Sequence, residues 1–484
     1  MKRSSPAVAG PLRPGRIPPS LAPWLVLLGY AALAVFATVH HEPWRDEAQA
    51  WLIARDLPLS GIIAQMGSEG SPALWHLLLF PCAQLGASYG SEAVIHAVLA
   101  VVAVGLLLLR GPFPLWFKAL LAFSCCFSYE YAAVARNYNL SMLLLFALAT
   151  MYPLRMRRPL AYGLLVALLA NTNVHSLAMA AGLALLYAAE VRGLPGSRQR
   201  TLCALAVMAL GLSAALGQLG MAGQNELVGT GLRLNLKAPV VATRNAWLPG
   251  FPNGAAPLAV ASMVLVAAAL WRRAQSALFL LLCGLGGLYA IFIFKHSGGL
   301  RHHGLILVVT VFALWIAWDR LSVPAARTWR RALLAVLGVM LAAGLPFSAR
   351  THLNDAHGLY SGARGIAKYI TSEGLAARVL VAYPSAPTSA VLPYLPGRQA
   401  WYADLQAPGT YITWDRRYMD NRGIGVAEAA RRAAGAPGWG PGALLLLNEP
   451  LPSPEALGLT LRHRVADGVF TDIGEQMYLY EQKP

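Results

Sequence analysis

Two adjacent carboxylates open the chemistry of this chain. The stretch His40-His41-Glu42-Pro43-Trp44-Arg45-Asp46-Glu47-Ala48-Gln49-Ala50-Trp51 sets Asp46 beside Glu47 among histidines, an arginine and two tryptophans. A carboxylate at a membrane surface can serve as general base toward a hydroxyl or amine acceptor. The plainer reading makes Asp46 a helix N-cap, with Gln49 three residues on in a capping-box-like pair. Glu47 is not needed for such a cap. A helix starting near Asp46 would place Trp44, Ala48, Trp51 and Leu52 on one face, as in a helix lying in the membrane interface.

Two further stretches carry chemistry. Ser128-Tyr129-Glu130-Tyr131-Ala132-Ala133-Val134-Ala135-Arg136-Asn137-Tyr138-Asn139-Leu140 brings Glu130, Arg136 and Tyr138 to the junction of two apolar segments. Either Glu130 and Arg136 pair to fix a helix hairpin, or these ionisable groups at membrane depth serve a site. Lys295-His296-Ser297-Gly298-Gly299-Leu300-Arg301-His302-His303 suits a phosphate. There Lys295 supplies a point charge, Arg301 a bidentate fork, His302 and His303 further donors, and glycine close backbone approach. The alternatives for this loop are lipid headgroups or a metal, but its histidines have no zinc spacing. Arg233, Lys237 and Arg244 would attract an anionic lipid or a second phosphate oxygen. His175 follows the polar Asn171-Thr172-Asn173 turn, whereas His76 and His96 sit on apolar segments and read as packed.

The elements that must hold these groups are membrane helices. Only 13% of the chain is charged and its mean hydropathy is +0.50, whereas soluble proteins carry about 25% charged residues. Apolar runs at 21–39, 91–109, 115–134, 138–153, 160–172, 175–190, 201–222, 257–271, 276–294, 303–318 and 332–348 predict a polytopic all-α bundle of eleven to twelve spans. The excess of 39 Lys and Arg over 22 acids lies in short clusters between runs, so it points to cytoplasmic loops and not to nucleic acid. If run 73–87 stays in the outer interface, the clusters Arg110/Lys118, Arg155/Arg157/Arg158, Arg192/Arg198/Arg200, Arg272/Arg273 and Arg320/Arg327/Arg330/Arg331 all fall inside. The loop 40–71 and the other polar stretches then fall outside. The N-terminus, residues 1–20, reads as a cytoplasmic tail before a retained anchor, because the apolar run exceeds a signal-peptide core. The five cysteines show no disulfide or zinc spacing.

Residues 349–484 change character. Segments 378–383 and 443–448 read as buried strands, 359–374 and 425–434 as helices, giving an extracytoplasmic α/β domain behind a membrane domain at 21–348.

The order of these features resembles the membrane glycosyltransferases of the GT-C fold, in the branch of protein O-mannosyltransferases and lipid A aminoarabinose transferases. The resemblance rests on the anchor helix, Arg45-Asp46-Glu47, Ser71-Pro72-Ala73-Leu74-Trp75, Glu92 and Ala135-Arg136-Asn137-Tyr138-Asn139-Leu140. It implies a polyprenyl-phosphate-linked sugar donor, an outward active site in a bacterial-type cytoplasmic membrane, and a loop acid matched by Asp46 beside Glu47. Arg136 and Tyr138, with Glu130 upstream, match the family's Arg-x-Tyr pattern. His41 and His175 join Tyr138 as candidate substrate contacts, and Lys295, Arg301, His302, His303, Arg136 and Arg244 as candidate phosphate contacts. Some relatives bind a divalent ion near the loop acids, for which Asp46, Glu47, Glu130 and His175 are the available ligands here. Ser71 stands where a charged residue or histidine often precedes the proline, and Asn137 replaces the proline of Arg-Pro-Tyr, so the acceptor does not carry over. Membrane lipids are expected partners. The rival readings are a lipid or polysaccharide transporter, for which no inverted repeat is visible, and a non-catalytic anchored binding protein, which leaves the Asp46 region without a purpose.

Overall fold

The computed structural model describes residues 20–192, 198–221, 234–471 and 474–484. The first apolar run forms α1 (Ala22–His40). Three short helices follow, α2 (Arg45–Asp56), α3 (Leu59–Glu69) and α4 (Leu74–Gln84), before the long α5 (Gly90–Arg110). With 11 residues, α4 is only about 16 Å long at 1.5 Å per residue, against roughly 30 Å of bilayer hydrocarbon. It packs on α2 instead, with Trp75, Leu79 and Ala83 in one core with Ala48, Trp51 and Leu52.

Next, α6 (Leu115–Ala122) breaks into a π-helical turn at Cys126–Glu130 and a short irregular link. Then come α7 (Tyr138–Met151), α8 (Pro159–Ala170), α9 (Val174–Val191), α10 (Arg198–Gly220), α11 (Ala238–Trp247), α12 (Ala256–Leu270), α13 (Gln275–Phe294), α14 (Leu300–Ile316) and α15 (Arg327–His357). Among the described residues seven helices are long and apolar enough to cross a membrane, and three apolar helices of 10–17 residues accompany them. Every expected span but 115–134 has a helix over most of its length, that one being helical only to Ala122 before the π-turn, and the protein is a multi-pass α-helical membrane bundle. Small residues let the helices close in. A Cβ on Gly211 of α10 would sit 2.4 Å from the Ala167 Cβ of α8, and one on Gly284 of α13 would sit 2.6 Å from Val309 of α14. Every residue from His302 to Trp315 of α14 is buried. A helix apolar on all sides belongs in the middle of a bundle, so Arg301 at its start is carried by the most enclosed element.

The last bundle helix does not stop near residue 348 but continues to His357. Beyond it, α16 (Ala363–Ser372) leads into strands β1 (Leu380–Tyr383), β2 (Ala400–Tyr402), β3 (Ala407–Gly409), β4 (Leu444–Leu447), β5 (Leu459–Val465) and β6 (Met477–Gln482), with α17 (Val426–Ala433) before β4. The sheet order is β3-β2-β1-β4-β6-β5. The two strands expected from sequence, β1 and β4, run parallel at its centre with Val381 opposite Leu445. Each is four aliphatic or aromatic residues, buried throughout, as a strand covered on both faces requires.

This domain is fused to one end of the bundle. Ile366, Leu380, Leu392 and Leu446 share a single core with α2 and α4. The Gln49 side chain acts like an added strand, donating to the Ile412 carbonyl at 2.7 Å and accepting from the Ile412 N–H at 2.9 Å. The expected interfacial helix is therefore enclosed: α2 is buried from Glu47 to Ala54, because the C-terminal domain covers the face that would have met lipid headgroups.

Candidate active site

The start of α2 decides what Asp46 is free to do. Trp44 is the extended N-cap, and its N–H donates to the Glu47 carboxylate at 3.1 Å. The cap is thus supplied by Glu47 three residues on, not by Asp46 as the simpler sequence reading had it. The Asp46 carboxylate turns instead to cations from three elements. Arg301 Nη2 donates to Asp46 Oδ2 at 2.9 Å. Arg136 Nη2 and Arg45 Nε each stand 4.0 Å from a carboxylate oxygen, and Arg136 Nη1 donates to the Asp46 carbonyl at 2.6 Å.

Each arginine is aimed by its surroundings. The Arg301 guanidinium lies 4.7 Å from the Trp44 ring centre and that of Arg45 lies 5.2 Å from it. Arg136 sits in the link after the π-turn, where His96 reaches the carbonyls of Ala132 and Arg136 at 3.3 and 3.2 Å. The Ala135 N–H donates to Glu47 Oε1 at 2.6 Å. The Nε–H groups of both Arg136 and Arg301 are buried without a partner among the described residues. An unmet charged donor in a desolvated place is costly, and a phosphate oxygen is the partner whose geometry matches the guanidinium fork.

Burial alone would push the Asp46 carboxyl up, but Arg136, Arg301 and Arg45 together hold it below the usual carboxylate range. His41 shows the reverse. Burial pulls its imidazole down, but Glu47 and Asp355, each hydrogen-bonded to one ring nitrogen, push it up to about 10. From the C-terminal domain, Glu475 is fully buried near Arg45 and Asp46. Burial pushes it up to about 7 against the opposing effect of the Ser361 hydroxyl, 2.8 Å away.

No family model and no curated relative matches the chain. Two crystal structures of ArnT from Cupriavidus metallidurans share its architecture, one in the apo state and one bound to undecaprenyl phosphate. Both give a TM-score of 0.55, at 12% and 13% identity, over 95% of this chain and 98% of that one. The chain has the GT-C fold.

Within this GT-C bundle the residues singled out from sequence divide into two groups. Asp46, Glu47, Arg136, Arg301, Tyr138 and His41 meet at one end. Tyr138 opens α7 with its ring 5.0 Å from His302 and 5.9 Å from His175. Both nitrogens of His175 are buried without a partner among the described residues. Glu130 makes no ion pair with Arg136 among the described residues; it ends the π-turn within electrostatic reach of Arg301 and His41. The second group braces loops. His302 Nδ1 accepts from the Gly299 N–H at 2.9 Å. His303 Nε2 donates to the Ser297 carbonyl at 2.9 Å while its Nδ1 accepts from Asn245 at 3.1 Å. Arg244 donates to the Phe251 carbonyl and to Asn245. Lys295 is exposed at the end of α13, and Arg233 lies outside the described residues.

The four ligands named for a divalent ion do not fit one. Both oxygens of Glu47 are engaged by the backbone and His41, His175 packs among rings, and no three His, Cys, Asp or Glu side chains gather suitably among the described residues. The structure also adds residues that sequence reasoning passed over. Asp355 bonds His41, Glu69 accepts from Gln49 and from Trp414 at 2.8 and 3.0 Å, and Glu475 sits under Arg45. None has a local motif that could have flagged it. The two positions that depart from the family pattern meet: Asn137 donates to the Ser71 hydroxyl at 2.8 Å, next to Arg136.

Proposed function

We propose that the protein transfers a sugar from a polyprenyl-phosphate carrier to an acceptor at the outer face of a bacterial cytoplasmic membrane. The observation that carries this reading is the convergence of Arg45, Arg136 and Arg301 on Asp46, with two buried guanidinium N–H groups left unmet among the described residues. A bound ArnT structure shows that this fold can hold undecaprenyl phosphate in a relative, which supports the choice of carrier. The outer face is supported by charge: Arg110, Arg155, Arg273, Arg320 and Arg330 gather at the opposite end.

In this reading the donor phosphate takes the spare donors of Arg301 and Arg136. It competes with Asp46 for Arg301, so donor binding loosens the contact that keeps Asp46 weakly basic. The acceptor oxygen or nitrogen then attacks the anomeric carbon from the side opposite the phosphate. As that bond forms, the bond to the phosphate oxygen breaks and its electron pair stays on phosphate, with inversion at carbon. Asp46 takes the proton released by the acceptor, and the arginines stabilise the charge gathering on the departing lipid phosphate. Tyr138 and His175 line the sugar side, Glu47 and His41 hold the frame, and His302 and His303 hold the loop that delivers Arg301.

Purified full-length protein in lipid nanodiscs should bind undecaprenyl phosphate and, given a radiolabelled undecaprenyl-phosphate sugar, move the label to a new covalent product. Folded protein that binds no undecaprenyl phosphate overturns the reading, and label carried across a vesicle membrane without a new bond makes it a transporter. For orientation, cysteine placed at Ser297 should react with an impermeant reagent in intact cells and cysteine at Arg157 should not. The opposite pattern puts the site on the cytoplasmic face.

A further inference from the structure

Beneath Asp46 runs a buried line of charge that the transfer chemistry does not use. Glu47 accepts the Ala135 N–H on one oxygen, and the Trp44 N–H and His41 Nε2 on the other. The far nitrogen of the same ring, His41 Nδ1, lies 2.9 Å from Asp355 Oδ2, which also accepts the Tyr129 hydroxyl at 2.9 Å. His41, Glu47 and Asp355 are 2%, 0% and 3% exposed, so water cannot substitute for a lost partner. Carboxylates only accept, and both ring nitrogens face one, so the geometry asks His41 to donate from both. The line joins segments far apart in the chain: the outer turns of α15, the link after α1, the start of α2, and the residue before Arg136. Arg364 of α16 adds a bond to the His41 carbonyl at 3.1 Å.

We propose that Asp355, acting through His41 and Glu47, is a positioning residue for Arg136, and so for the grip on a donor phosphate. The far end of the line sits on the helix that carries the C-terminal domain, so the domain's seating is read out at the arginine. Ala135 is held by Glu47 and Arg136 follows it directly, so a shift of the Glu47 carboxylate moves the guanidinium relative to Asp46. Charge-assisted hydrogen bonds keep such a line straight better than apolar packing does, because each bond fixes a direction as well as a distance.

This inference rests on the proposed donor site, and the test separates the two. Undecaprenyl phosphate is titrated into full-length protein in nanodiscs, with thermal unfolding recorded on the same samples. No binding by wild type defeats the donor site itself. With wild-type binding in hand, Asp355→Asn should weaken the dissociation constant about tenfold in protein that still unfolds cooperatively. Combined with Arg136→Lys it should add little to the loss from Arg136→Lys alone, since both act through one guanidinium. Glu190→Gln, at the opposite end of the bundle, should be silent. An unchanged constant in folded Asp355→Asn, or losses that simply add with Arg136→Lys, overturns the proposal and leaves Asp355 a packing residue. Where Asp355→Asn does not fold, Tyr129→Phe takes its place in the same cycle, with a loss of about two- to threefold, and the same two outcomes decide.

Discussion

The two ends of the bundle treat charge in opposite ways. At the basic end Arg155 and Lys118 find their partners close by. Arg155 gives Nε and Nη2 to Glu190 at 2.8 Å each and Nη1 to the Tyr152 carbonyl at 2.7 Å, with its guanidinium 3.9 Å from the Tyr152 ring centre. Lys118 closes onto the carbonyls of Leu108 and Gly111, capping the end of α5. At the other end the partners come from separate segments. Asp46 meets Arg301 from 255 positions away, and Arg136 and Arg301 each keep a buried N–H without a partner among the described residues. Charges that complete their own contacts hold a structure. Charges gathered from distant segments with donors to spare are what a binding site is expected to show.

The sharpest way to break that contrast is Asp46→Asn. It keeps shape and removes proton acceptance, so turnover should drop about 10²- to 10⁴-fold while undecaprenyl phosphate still binds. Near-normal turnover in folded protein would shift the search for a base to Glu475 or Glu130. Next in size is Arg301→Ala, whose lost charge-assisted contact should weaken undecaprenyl phosphate binding by about 2–3 kcal/mol. Arg301→Lys should restore only part of it, because an ammonium has no planar fork. Unchanged affinity in Arg301→Ala would separate the convergence of arginines from phosphate binding. A smaller effect is expected from pH. His41 is raised to about 10 when folded, so its contribution to stability is complete below about 6.5 and fades as pH rises through about 10. Thermal unfolding temperatures measured from pH 7 to 10.5 should fall for wild type and fall less steeply for His41→Gln. Equal slopes would mean the carboxylates are not holding an imidazolium. The smallest effect belongs to the basic end. Removing the partly exposed Arg155–Glu190 pair should cost about 1 kcal/mol or less and leave donor binding alone; a change in affinity there would mean the two ends are not independent.

How much of this was readable beforehand follows from the range of each interaction. Continuous apolar runs announce helices and central strands because burial is a property of the segment itself, so the spans and the strands at 378–383 and 443–448 stood out. Asp46, Arg136 and Arg301 stood out because a chain only 13% charged has few ionisable groups to place outside its basic clusters. The work of Glu47 did not, since its bond to Ala135 crosses 88 positions, nor did Asp355, which meets His41 across 314. Sequence spacing carries no mark of such meetings. The loop contacts of His302 and His303 did not stand out either: their type suited an anion, and nothing in their spacing showed that ring nitrogens of both would also brace the loop.

Helix α15 has one more consequence. Its 31 residues extend about 46 Å at 1.5 Å per residue, well beyond the roughly 30 Å of a bilayer's hydrocarbon. The C-terminal domain is therefore mounted on a mast without a slack loop at its foot. Asp355 lies near the top of that mast, above Pro346, where a helix bends most readily. A change of bilayer thickness changes the tilt such a mast favours, more inclined in a thinner bilayer and more upright in a thicker one. Hydrophobic mismatch between this one helix and its lipids would then reach His41 and the arginines, so lipid chain length becomes a variable that acts on the site from outside the protein.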